Sequence, residues 1–563
     1  MRRLRSPILP LVLFALAVFG CAPRAAAPPT NAPISDDKAA VKEAYRKTAE
    51  ECQSGKEHWR EAGSPKRGGT FTRSGSAVTN LELMRASQNE PGPHVYQALL
   101  STRGCYYGDG VMNPLLATSW EIAPDGLTIT LKLRDDVKWQ NVSPVNGRPF
   151  TSADVGYSID YHLTPQHASQ ARAFWLGVSH QEPDARTVVL RLSEPNADFV
   201  EDLGHFQNVM LPREVKDLEG GYARTAIGTG PFIHDPASWK PEIELTLNRN
   251  PGYYERGLDG SPLPYIDRVR NVYFADYIAE VAAFRSGQLD RTGSFGLLRA
   301  EADDYRKQYP NAPKREELQL AAYSVWFNLE KAPWNDVRVR RAISLALDRE
   351  ELIASNRGSA VYGGFVPSSR VEYSWPEEKK RERFRADREQ AKRLLMEAGY
   401  PPGSINTTIM TGGQYQEDAE VVQHLLSAVG INAQVTIQGR AWGPIWNQRQ
   451  YPDLGWGGAP GAHILNDLVK AILETGNPKN TIRFSDAEVD RLAKAQAAEY
   501  DLGKRVALVD RLQERLVETM PYVPGISRVY HHFYNCRVKN TPWTKLGEGH
   551  IGLKRYWLDQ GGC

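Results

Sequence analysis

At 563 residues the chain is longer than one hydrophobic core usually organises, so two or three subdomains are expected. Its 41% hydrophobic and 24% charged residues are an ordinary globular balance. There are 69 basic and 67 acidic side chains, a net charge of +2; leaving out Arg2, Arg3 and Arg5 at the N-terminus, 69 becomes 66 and the remainder is near neutral. That excludes the concentrated positive field a nucleic-acid partner needs.

The N-terminus reads as an address. Arg2, Arg3 and Arg5 precede an apolar run from Ile8 to Phe19, too short for a hydrocarbon core of about 30 Å and in keeping with a signal peptide over residues 1–20. The run ends in Val18-Phe19-Gly20-Cys21, which resembles the bacterial lipobox; the resemblance implies that Cys21 is the lipidated first residue after cleavage. Residues 22–40, rich in Ala and Pro, read as a tether, and 36–62 as a charged helix. No later run approaches eighteen apolar residues.

A strand starts at Gly68-Gly69-Thr70-Phe71. Pro124-Asp125-Gly126 marks a turn, and Leu127 to Leu133 alternates with the period of two of a half-buried strand. Thr151-Ser152-Ala153-Asp154 is a capping box that opens a helix toward His162. Strands are expected at 187–192 and 242–247. From Asp336 the period turns helical, with Val339, Ile343 and Leu347 on one face. Helices follow over 388–398 and 421–429, each ended by a glycine, and a strand over 431–437. Ser485-Asp486-Ala487-Glu488 is a second capping box, with helices continuing to about Met520. The first half is strand-rich; the second alternates helix and strand in the manner of an α/β lobe.

Several segments occur in a telling order: Gly68-Gly-Thr70; Asn113-Pro-Leu-Leu-Ala-Thr-Ser-Trp120; Pro124-Asp-Gly-Leu127; Phe150-Thr-Ser-Ala-Asp-Val-Gly-Tyr157; Gly228-Thr-Gly-Pro-Phe232; Arg249-Asn-Pro-Gly-Tyr-Tyr254; Phe327-Asn-Leu-Glu-Lys-Ala-Pro-Trp334; and Ala346-Leu-Asp-Arg349. Together they resemble the family 5 extracellular solute-binding proteins, receptors of ABC importers for peptides, nickel and some oligosaccharides or opines. The resemblance covers about residues 66–530. It implies an α/β, two-lobed, periplasmic-binding-protein-like fold with an extra subdomain in the first lobe and a hinge between the lobes. By order, lobe I would span 66–320 with the inserted subdomain at about 103–228. Lobe II would span 321–520, and 521–563 would return to lobe I, with 21–65 as the anchored extension. The implied role is capture of a small solute in the interlobe cleft and delivery to an ABC permease and ATPase complex. It implies a monomer on the periplasmic or extracellular face of the cell envelope, lipid-anchored, with no cofactor and no catalysis.

The same resemblance places the ligand. Trp442 matches a pocket tryptophan of peptide-binding members, and Arg449 falls where an arginine pairs a peptide carboxylate with its planar fork of donors. Trp446 lies between them. Asn80 begins the loop after the first strand, Phe174 and Trp175 fall near a ligand-touching aromatic, Trp326 falls at the lobe junction, and Trp456 aligns with the tryptophan of a ligand-binding run. Peptide-binding members hold the ligand ammonium with a Trp-x-x-Asp aspartate. Aligned on Trp456, that position is Ala459; without the gap it is Ala462. Neither neutralises a buried ammonium. The expected solute is therefore peptide-like without a free ammonium, a sugar, or an organic anion.

Two rival readings are weighed. A nickel receptor needs convergent imidazoles, for which His162, His167, His531 and His532 are the candidates, but adjacent His531 and His532 in a strand would face opposite ways. An exported hydrolase finds no G-x-S-x-G, H-E-x-x-H or P-loop motif. Beyond Cys21, the cysteines Cys52, Cys105, Cys536 and Cys563 permit three disulfide pairings that spacing does not rank.

Overall fold

In the computed structural model the described residues run from 64 to 559, apart from 76–79, 82–91, 102–112, 294–295, 320–321, 439–444, 446–450, 459–464, 470–471, 478–479, 542–551 and some single positions. The expected N-terminal helix, the signal peptide and Cys21 lie outside them.

Two large cores, with two smaller clusters beside them, organise the described residues. In the first lobe, a four-stranded sheet runs in the order Thr70–Gly75, Arg268–Tyr273, Glu244–Arg249, Phe232–His234. Its first pair is parallel, from Thr70 opposite Arg268 to Gly75 opposite Tyr273. A second four-stranded sheet, antiparallel, is ordered Ala117–Ile122, Thr128–Leu133, Thr187–Leu192, Val178–Asp184. Phe71 and Val269 of the one and Leu131 and Leu190 of the other belong to a single buried cluster, which Tyr534, Val538, Leu553 and Tyr556 join from the C-terminal end. Burial of each such side chain is worth about 1.5–3 kcal/mol, so the antiparallel sheet is fused to the other by their shared core.

The second lobe is built on a seven-stranded sheet. Its order is Lys314–Leu318, Tyr522–Phe533, Tyr323–Phe327, Leu454–Gly458, Ile405–Thr411, Ile431–Ile437, with Ala360–Tyr362 paired to the long Tyr522–Phe533 strand. Its core gathers Val325, Ile343, Ile409, Leu425, Val509 and Val523. Every residue of Tyr323–Phe327 is buried, as befits a central strand covered on both faces.

Local signals decide where the elements start and stop. The Thr151 backbone N–H donates to the Asp154 carboxylate at 2.9 Å, closing the expected box at the head of Ser152–Leu163. Asp336 caps Val337–Ala346 and Asp387 caps Arg388–Glu397, each accepting a backbone N–H at 2.8 Å. Gly399 and Gly430, at φ +88° and +87°, supply left-handed stops that other residues enter at a cost. Three expectations shift. The strand expected at 242–247 is Glu244–Arg249, because Glu242 sits at φ 63° in a turn. The helix expected from 421 begins at Gln416: its first turn is acidic, Glu417 and Asp418, which suits the positive end of the helix but hides the apolar period. The cap at 485–488 is Asp486, which accepts from Glu488 and Val489, while the Ser485 hydroxyl accepts from Thr475.

The lobes are joined by two antiparallel strands. The long strand pairs with Tyr323–Phe327 through Tyr522–Ile526, with Ala360–Tyr362 through Ile526–Arg528, and with Lys314–Leu318 through Val529–Phe533. It then bridges from Tyr534 to Arg291 of the first lobe. Arg349, fully buried, braces this strand by donating Nε and Nη2 to the Pro524 carbonyl, at 2.9 and 2.6 Å.

Candidate functional site

In the second lobe Ile405–Thr411 is parallel to both Ile431–Ile437 and Leu454–Gly458, so the carboxyl ends of all three strands share one edge. Open α/β sheets place ligands outside such an edge. The chain departs from it into 439–450 and 459–464. Trp442, Trp446 and Arg449, with Ala459 and Ala462, lie in those segments, outside the described residues. At the carboxyl end of Leu454–Gly458, where Tyr323 lies opposite Gly458, the Tyr415 ring meets Tyr323 edge-on at 4.8 Å, and the Tyr323 and Tyr530 hydroxyls are 3.2 Å apart. Behind this wall Arg528 and Asn356 donate to Asp418 at 2.9 and 2.7 Å, and the Arg528 guanidinium covers the Tyr323 ring at 5.0 Å. Burial pushes the Asp418 carboxyl up from the ordinary range, with Arg528 opposing.

The first lobe presents its own carboxyl ends, Gly75 and Tyr273. Asp276 caps the Tyr277–Arg285 helix, which places Glu280 beside Ser74 and Arg291. Burial raises the Glu280 carboxyl, against the pull of Ser74 and Arg291. A Cβ on Gly293 would come 1.5 Å from Glu280 Oε1, so only glycine admits the carboxylate there. Asn80 is half-buried on the same side, and the neighbouring Leu81 N–H donates to the Ala223 carbonyl at 3.0 Å.

The remaining expected aromatics are placed elsewhere. Trp326 is fully buried, stacks on Tyr522 at 4.3 Å and donates its indole N–H to the Gly457 carbonyl at 2.9 Å. Trp456 is fully buried against Tyr323. Trp175 is fully buried edge-on to Phe199, and half-buried Phe174 stacks on Phe199 at 4.7 Å. In this conformation Trp326, Trp456 and Trp175 offer no surface to a solute. Residue type told their size, not the side they face.

A constellation that the sequence did not disclose lies where the part of the first lobe that carries the antiparallel sheet meets the second lobe. Arg505 Nη1 lies 2.5 Å from Asp198 Oδ1, with side chains 7% and 4% exposed. Arg370 Nη1 lies 2.9 Å from Glu201 Oε1, at 4% and 10%. Asp198 also accepts the Asn466 N–H at 3.0 Å, and Gln496 Oε1 accepts both Nε and Nη2 of Arg505 at 3.1 Å. Asn466 Nδ2 donates to Asn196 at 2.6 Å, the Ala197 N–H to the Ala497 carbonyl at 2.8 Å, and the Tyr500 hydroxyl to the Gly126 carbonyl at 3.1 Å. Burial pushes the Glu201 carboxyl up, against Arg370. Phe174 and Trp175 pack on Phe199, between the two acids. No local motif announces such a network, because the partners of its two ion pairs are more than 160 residues apart in sequence.

The histidines serve the fold. His162 is buried between Ser169 Oγ at 2.8 Å and the Val209 carbonyl at 3.2 Å. His167 stacks on Tyr161 at 3.7 Å. His531 meets Glu316 at 3.1 Å and Arg306 at 3.3 Å, while His532 lies 3.5 Å from Thr292 Oγ1. Among the described residues no group of three His, Cys, Asp or Glu converges on a metal position. Cys536 is disulfide-bonded, and the other four cysteines lie outside the described residues.

Two lobes that turn strand ends toward a common junction, crossed by two strands, define a hinged α/β binding-protein fold. The chain belongs to the bacterial extracellular solute-binding proteins, family 5, whose middle region matches residues 111–462. Relatives in Brucella ovis and Brucella abortus, named as ABC transporter peptide-binding proteins, are 32% identical over 333 residues, 56% of this chain and 58% of theirs. The match thus spans little more than half the length of those relatives. Two solved structures share the fold. The binding protein AgaA of A. tumefaciens R10, in complex with agropinic acid, has a TM-score of 0.72 at 24% identity, covering 88% of this chain and 99% of that one. DppA of Helicobacter pylori, in complex with the peptide STSA, has a TM-score of 0.73 at 22% identity with the same coverage. Among the described residues no helix is long and apolar enough to cross a membrane.

Proposed function

We propose that this chain is the solute-binding receptor of an ABC importer. It captures a small solute at the interlobe junction, closes on it by hinge motion and presents the closed form to the permease and ATPase, without chemistry on the solute. The observation that carries this reading is the pair of crossing strands, Lys314–Leu318 and Tyr522–Phe533, which joins two independently cored lobes. A solute shifts such an equilibrium only through contacts that differ between the open and closed states, so its decisive contacts bridge the lobes. Lobe I is assigned to 66–320 with the inserted subdomain at about 103–228, lobe II to 321–520, and 521–563 to the C-terminal return. Cys21 carries the lipid that holds the receptor, as a monomer, at the outer face of the membrane; Cys21→Ser should move it to the soluble fraction.

The solute is assigned to neutral or anionic compounds rather than simple zwitterionic peptides. The segment after Gly458 has alanine at both positions, 459 and 462, open to an ammonium-binding acid. Arg449 pairs an anionic group, and Trp442 and Trp446 enclose the apolar body. AgaA, a protein of the same fold in complex with agropinic acid, supports a reading in which the solute need not be a peptide. A charge-assisted hydrogen bond is worth about 1.5–3 kcal/mol, so a lost ammonium partner weakens binding by roughly one to two orders of magnitude. Titration calorimetry against tripeptides, sugars and organic acids tests the assignment. Arg449→Ala should weaken an anion far more than a neutral sugar. Sub-micromolar tripeptide binding retained in Arg449→Ala overturns it.

A further inference from the structure

We propose that Asp198, Glu201, Arg370 and Arg505 form a closure latch, a set of positioning residues that holds the antiparallel-sheet part of the first lobe against the second lobe and sets how readily the receptor closes. The inference rests on the hinge reading above and adds to it a determinant of affinity that never touches the solute.

Solvation sets the balance at this contact. The two acids stand on the segment around Phe199, anchored in the first core by Phe199 itself, while Arg505 lies on the Leu502–Thr519 helix whose Val509 and Leu512 belong to the second core. The two sides are therefore held by different cores. At the contact all four side chains are at most 10% exposed. An ion pair withdrawn from water gains little overall, because desolvation offsets most of the attraction. Deleting one partner is different: the survivor stays buried and uncompensated only while the lobes are together, and is hydrated as soon as they part. A neutral substitution here penalises the closed state alone. The secondary contacts make the closed geometry specific. Gln496 holds Arg505 in place, Asn466 fixes both Asp198 and Asn196, and Tyr500 sits on the Asp-Gly turn, where a Cβ on Gly126 would come 3.0 Å from its ring. Arg505 also lies over the Tyr373 ring at 5.3 Å, which shields the pair from water.

Small-angle X-ray scattering of the purified chain, with no solute added, reads the lobe arrangement directly. Asp198→Asn keeps the shape and the acceptor for Asn466 but removes the negative charge paired with Arg505; Glu201→Gln likewise removes the one paired with Arg370. Each should shift the open-to-closed ratio on the order of a hundredfold toward open, seen as a larger radius of gyration with unchanged circular dichroism. Glu514→Gln, which breaks a solvent-exposed pair with Lys379 and Arg383 on the second lobe, should leave the radius unchanged. If one variant fails to fold, the other carries the test, since each removes a different carboxylate from the same buried cluster. Radii of wild type, Asp198→Asn and Glu201→Gln that coincide overturn the latch. A failure of every solute to bind would leave this scattering result intact and would count against the receptor reading instead.

Discussion

The lobes meet at two places built from opposite materials. At the hinge the connection is a backbone ladder, paired residue by residue from Lys314 opposite Phe533 to Leu318 opposite Val529. At the contact around Asp198 it is mainly side chains, two buried ion pairs with amide partners around them. A ladder cannot open without exposing its N–H and C=O groups, so it suits a joint that must persist in both states. Ion pairs can be rehydrated one by one, so they suit a contact that must break. The comparison teaches that the permanent joint and the reversible one are distinguished by where their polar groups go when the lobes separate.

Substitutions on each side sharpen that contrast. The largest effect is expected at the hinge. Arg349→Leu removes a guanidinium that donates to the Pro524, Ser344, Leu347 and Phe384 carbonyls, and strands those acceptors in the core. A loss of about 3–5 kcal/mol in urea unfolding is expected, without selective opening of the lobes. Should Arg349→Leu merely open the lobes at unchanged stability, the distinction between the two joints fails.

A smaller effect, tunable by pH, belongs to the first lobe behind the latch. Burial holds the His162 imidazole down at about 4, against an ordinary 6.5. Above pH 6.5 the residue is neutral folded or unfolded and contributes no pH dependence. Between 6.5 and about 4 the unfolded chain takes the proton first, so stability falls by up to about 3 kcal/mol and then levels off. His162→Gln should flatten the stability profile over that window. Glu316 at the hinge titrates lower: the His531 hydrogen bond draws its carboxyl down to about 2 against the effect of burial, so its support is fully present above pH 4.5 and is lost progressively between 4.5 and about 2. Mild acid therefore loads the first lobe before it reaches the hinge.

Much of this architecture was legible in the sequence, and the reasons are local. The Asp336 cap, the glycine stops at 399 and 430 and the alternation of 128–133 act within a turn or two of chain, where sequence and structure are coupled directly. The ordered motifs indicated the family and the two-lobed fold. The walls of the site were not legible in the same way. Trp326 sits in a strand buried on both faces, where no alternation marks an inner side, and Trp175 supports the segment that carries Asp198 and Glu201. The latch itself joins residues far apart in the chain, each of which reads in isolation as an ordinary surface charge.

The most direct test of the central claim is native mass spectrometry of the chain purified from its own envelope without refolding. The account predicts one small solute per chain, neutral or anionic, released on denaturation and rebinding with contraction of the scattering radius. A chain that carries no solute, and that neither binds nor contracts with any member of a peptide, sugar and organic-acid panel, would contradict it.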